Sequence, residues 1–142
     1  MSIPHVVMDS SVLVGALRSR RGASHKLLGL MDSGKYEVCI AVPLLLVYQD
    51  VLRALLGTSR LTESDLSDIL DYLCRMASPS KISYLWRPFL QHPYHDLALE
   101  LAVTAGCDSI VTHDLDAFQG AELLGVQVVT PKELLQKIGE ML

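Results

Sequence analysis

Val6-Val7-Met8-Asp9-Ser10-Ser11-Val12-Leu13 decides how this chain is read, together with Ser109-Ile110-Val111-Thr112-His113-Asp114-Leu115-Asp116 far along it. In each, a short apolar run breaks off and an aspartate follows. Neither run alternates apolar with polar, so each fits a strand buried on both faces, as in a parallel sheet covered by helices. Open parallel sheets bind ligands beyond the carboxyl ends of their strands, where the strand order reverses. Asp9 falls just past the first run and Asp114 just past the second, after His113.

Outward from these two runs, helix and strand signals alternate. Pro4 to Met8 reads as a strand, and Ser10 or Ser11 offers a cap for a helix starting at Val12. A helical piece from about Ser24 to Ser33 carries Leu27, Leu28 and Met31 on one face and ends at Gly34. Tyr36 to Ala41 is a second strand. Pro43 suits a first helical turn, with Leu44, Tyr48, Val51, Leu52 and Leu55 at helical spacing and Gly57 as the stop. Thr62-Glu63-Ser64-Asp65 opens a helix through Met76 and resembles a capping box. Lys81 to Leu85 is a candidate strand. Pro93 begins a helix closed by Gly106, strands follow at Ser109–Thr112 and Val126–Val129, and Pro131 opens a last helix. Strands separated by helices make an α/β class.

The 142 residues suit one domain, 1–142, with a substantial core. Half the residues are hydrophobic and a fifth are charged, which excludes a disordered chain. Twelve Lys and Arg against sixteen Asp and Glu leave a net charge of −4. That excludes attachment to nucleic acid by global positive charge, but not a nucleic-acid enzyme with an acidic, metal-holding site. The longest apolar stretch, Val38 to Tyr48, is broken by Pro43 and falls short of the ~20 residues a spanning helix needs. No membrane partner is expected, and the N-terminus has no signal-peptide pattern. Cys39, Cys74 and Cys107 are unpatterned and read as reduced thiols of a cytoplasmic protein.

The acids carry the chemistry. Asp9, Asp96, Asp114 and Asp116 all fall near the sheet's ligand-binding edge. Singly, each has a structural alternative: Asp9 as a helix N-cap, Asp96 complementing a helix dipole, Asp114-Leu115-Asp116 as an Asx-type turn. Together they favour a shared role, because clustered carboxylates repel unless a cation sits between them. Oxygen ligands without a Cys or His pattern point to Mg²⁺ or Mn²⁺. Such ions suit phosphodiester chemistry, where one activates a water and a second, about 3.5–4 Å away, stabilises the leaving oxygen.

The ordered set of motifs resembles the PIN-domain family of metal-dependent ribonucleases, in particular the toxins of bacterial and archaeal toxin–antitoxin pairs. The resemblance covers nearly the whole chain. It rests on Val6 to Leu13, Pro43-Leu44-Leu45 with Tyr48-Gln49-Asp50-Val51-Leu52, Asp96 to Ala102 ahead of Ala105-Gly106-Cys107-Asp108, Ile110 to Asp116, and Val128-Val129-Thr130-Pro131. It implies a three-layer α/β/α fold with five parallel strands in the order 3-2-1-4-5, an RNA substrate, a cognate antitoxin and a homodimer. It also implies catalytic and metal-binding roles for Asp9, Asp96 and Asp114, more loosely for Asp116, and a supporting hydrogen bond from Thr112.

The chain departs from the family pattern at two positions. Ser11 stands where the family usually has Asn, and Val47 where it has Glu. Valine cannot bind metal, so Val47 weakens the site; Asp50, three residues on, is the nearest replacement. The alternative is therefore a catalytically degenerate PIN-fold module that binds RNA or protein. Arg18, Arg20, Arg21 and Lys26, with His25, form the one dense basic patch, suited to RNA phosphates or to an ordinary solvated face. His92 and His95 are spaced for a metal pair but lack a third ligand, and His113 is a phosphate contact or a neutral rim residue. Tyr84, Trp86 and Phe89 fit packing under a loop or at a dimer contact better than base stacking.

Overall fold

Strand β1 (His5–Met8) is the centre of the molecule. It pairs in parallel with β2 (Glu37–Ile40) on one side and β4 (Ser109–Val111) on the other. The outer strands are β3 (Ser78–Pro79) against β2 and β5 (Gln127–Val129) against β4, giving the order 3-2-1-4-5. The register Val6↔Ser109, Val7↔Ile110 and Met8↔Val111 places the ends of β1 and β4 side by side. Val6, Val7, Met8, Ser109, Ile110 and Val111 are all buried. Successive strand residues point to opposite faces, so burial of every one means both faces are covered, the three-layer α/β/α arrangement. The computed structural model describes residues 3–57, 61–79, 90 and 93–140.

Among the described residues, six helices supply the outer layers: α1 (Ser10–Arg18), α2 (Ala23–Gly29), α3 (Val42–Arg53), α4 (Glu63–Met76), α5 (Pro93–Thr104) and α6 (Pro131–Lys137). Helix α5 packs on β1, β2 and β4; α1 packs on α2 and α3, and α2 on α6. Helix α1 begins at Ser10, with Asp9 rather than Ser10 or Ser11 in the cap position. Helix α2 stops at Gly29 short of Ser33, because the Leu30 and Met31 N–H groups bond only three residues back and tighten the last turn. The same happens after α3, which ends at Arg53 while Leu55 and Leu56 continue in three-residue bonding. The expected capping box at Thr62 and Asp65 is present, and Gly106 closes α5 with φ +67°. The candidate strand Lys81–Leu85 lies outside the described residues, as do Tyr84, Trp86, Phe89 and His92; the third strand is Ser78–Pro79.

Candidate active site

Asp9 leaves β1 and enters α1 in the N-cap position, yet its side chain caps nothing. The residue is 4% exposed. Its Oδ2 accepts from Ser11 Oγ at 2.7 Å and from Thr112 Oγ1 at 2.8 Å. The same two hydroxyls accept from the loop after β4: Ser11 Oγ from the His113 N–H at 3.1 Å, and Thr112 Oγ1 from the Asp114 N–H at 3.0 Å. A backbone N–H only donates, so each hydroxyl proton is left for the carboxylate, which only accepts when ionised. The start of α1 and the loop beyond β4 are thereby joined through Asp9. Tyr48 of α3 anchors the strand end from another side, donating its buried hydroxyl to the Met8 carbonyl. Burial, and then the Asp9 charge, push that phenol far above its ordinary range, so it stays a donor.

A cavity of about 640 Å³ opens here, with Asp9, Ser11, Arg18, His95, His113 and Asp114 in its wall. His95 Nε2 is 3.9 Å from Asp9 Oδ1, and its ring tilts against buried Phe118 with centroids 4.9 Å apart. Asp114 lines the cavity and also does turn work, its Oδ1 accepting from the Ala117 N–H at 3.3 Å at the start of the short 3-10 turn Leu115–Phe118.

The other sequence candidates fall around this centre rather than in it. Asp96, in the first turn of α5, is 8% exposed and accepts the Leu90 N–H at 2.8 Å through Oδ1; it does not line the cavity, although its neighbour His95 does. Asp116 sits exposed in the 3-10 turn. Asp50 is exposed on α3 and accepts the Tyr94 hydroxyl at 3.4 Å, whereas Val47 is buried in the core. Arg18 borders both this cavity and a neighbouring one of about 800 Å³, whose wall includes Arg20 and His25. Arg21 is exposed between α1 and α2, and Lys26 lies 3.9 Å from the Glu140 carboxylate.

Two residues not singled out from the sequence matter. Glu100, one turn beyond Asp96, is as buried as Asp96, and burial followed by the Asp96 charge raises its pKa. Its signal is an acid at i+4 from Asp96 inside a largely apolar helix. Ser24 is buried with Oγ 2.5 Å from His113 Nε2; nothing in its local sequence marks it.

A family model described as PIN domain matches residues 5–116, a span that includes Asp9, Val47, Asp96, Asp114 and Asp116. The chain belongs to the PIN-domain family, whose members are in general nucleases that use divalent metals. A comparison with curated proteins finds no match. Among the described residues, no helix is long and apolar enough to cross a membrane, and no three His, Cys, Asp or Glu side chains form a ready-made ion-holding group.

Proposed function

We propose that this protein is a divalent-metal-dependent endoribonuclease, using Mg²⁺ or Mn²⁺ and acting as the toxin of a toxin–antitoxin pair. The observation that carries this reading is Asp9: a buried carboxylate at a helix start, held off capping duty by two hydroxyls and placed in one cavity wall with Asp114. The donor set fits a hard cation, since the candidate ligands are carboxylate oxygens and Mg²⁺ binds through one or two carboxylates while keeping several waters. Asp9 and Asp114 would hold the ion; Asp96 and Asp116, which lie around the cavity rather than in its wall, would join them only by turning toward it. Bound there, it would lower the pKa of a water and so supply a nucleophile for phosphorus. The chain's own groups do the rest. Ser11 and Thr112 fix Asp9, and Arg18 with Arg20 and Arg21 binds RNA phosphates beside the cavity. Lys26 joins them only by giving up Glu140.

The proposal extends to assembly as a single cytoplasmic domain, 1–142. In its support, β5 and α6, beyond residue 116, complete the sheet edge and pack on α2. Val42 and Leu46, one turn apart on α3 and 69% and 56% exposed, support an apolar partner, whether a second copy in a homodimer or the antitoxin.

A second reading, a degenerate module that binds RNA or protein without cleaving, is favoured by Val47, an apolar core residue where the family has glutamate. RNA cleavage and metal titration in Mg²⁺ and Mn²⁺ separate the two. Slow, metal-dependent cleavage is expected, raised by Val47→Glu if the new carboxyl reaches the cavity without being buried unpaired. Cleavage that persists in a chelator sinks the metal reading, and no cleavage by either protein establishes the second.

A further inference from the structure

We propose that Ser24 and His113 form a positioning pair that sets the Asp114 loop against Asp9; what the positioning serves rests on the nuclease reading above, while the pair itself does not. Ser24 is 2% exposed in the first turn of α2, and its Oγ lies 2.5 Å from His113 Nε2. Helix α1 leaves room for the contact at one residue. A Cβ added at Gly15 would come 2.7 Å from His113 Nε2 and 3.1 Å from Ser24 Oγ, so any larger side chain there collides with the ring. The other end of His113 is held as well, its N–H donating to Ser11 Oγ, which donates in turn to Asp9. The residue between Thr112 and Asp114 is thus fixed by its ring to α2 and by its amide to α1. Without the ring contact, the loop would lose its tie to α2 and keep those through the Ser11 and Thr112 hydroxyls, and the buried Ser24 hydroxyl would lose its partner. With Nε2 engaged by Ser24, that nitrogen is not presented to a substrate, and His113 acts through Asp114.

Ser24→Ala and His113→Leu remove the contact, whereas His113→Gln keeps a polar group able to reach Ser24 Oγ. Two quantities decide the matter: hydrogen exchange at the His113 and Asp114 amides in metal-free protein, and Mn²⁺ affinity by titration. Both removals are expected to speed exchange at these amides about tenfold, the scale of one hydrogen bond. They are expected to weaken Mn²⁺ binding by about ten- to a hundredfold. His113→Gln should recover most of both effects. Unchanged exchange in both removal variants overturns the pair. Faster exchange with undiminished Mn²⁺ binding overturns its positioning role. If the wild type binds no Mn²⁺, the metal reading fails and the exchange data alone decide the pair. Should Ser24→Ala fail to fold, His113→Leu against His113→Gln makes the same comparison.

Discussion

Helices α1 and α4 both start from an N-cap residue whose side chain can cap, and use it in opposite ways. At α4, Thr62 Oγ1 accepts from the Asp65 N–H at 3.1 Å and Asp65 Oδ2 accepts from the Thr62 N–H at 3.0 Å, a closed capping box. At α1, Asp9 occupies the equivalent position but its carboxylate turns to Ser11 and Thr112. An N-cap of this kind is worth about 1 kcal/mol, which α1 forgoes. The exposed helix start maximises its own stability. The one at the end of β1 holds a buried carboxylate beside a cavity, which is what a site needs and what a helix alone does not.

Three measurements break or sharpen that contrast. The largest effect is expected from Asp9→Asn, which should lower RNA cleavage at least about a hundredfold. Its urea midpoint should stay close to wild type, because the amide oxygen still accepts both hydroxyls and no cap is lost. A variant that is unstable but active would make Asp9 a structural residue. Next is Thr62→Ala, which should cost about 1 kcal/mol in denaturant unfolding and leave cleavage per folded molecule unchanged. An equal loss of cleavage would erase the distinction between the two helix starts. The smallest effect is expected from Glu100→Gln. The Glu100 pKa is raised in the folded protein, so the folded state keeps this proton to higher pH than the unfolded state does. Stability from this group is therefore present at acid pH and lost as pH rises through the folded value. Glutamine has no proton to lose, so in metal-free protein the variant should gain on wild type as pH rises from the acid range to neutrality. A constant difference across that range would show that the Glu100 charge is not disfavoured.

The sheet and two of the acids were legible in the sequence for one reason: apolar runs that stop at an aspartate mark both the strand and its ligand-binding end. Strand order came with the family resemblance and matches the pairing of β1 with β2 and β4. Helix ends were less legible, because the drift into three-residue bonding after Gly29 and Arg53 depends on packing rather than on a stop residue. The placement of Asp9 and Asp114 in one cavity wall was readable from position. The Ser24–His113 contact was not, since it joins residues 89 apart and serine in a first helical turn is ordinary. Glu100 was hidden by its apolar neighbours, which pointed only to a core-facing helix.

Gly15 carries a consequence for anyone seeking a hardier form of this protein. It lies inside α1, where glycine costs roughly 1 kcal/mol against alanine, so a stabilisation campaign guided by helix propensity would nominate it early. The added methyl would be driven into the His113 ring. The position trades helix propensity for room, and a choice made on propensity alone would fill that room.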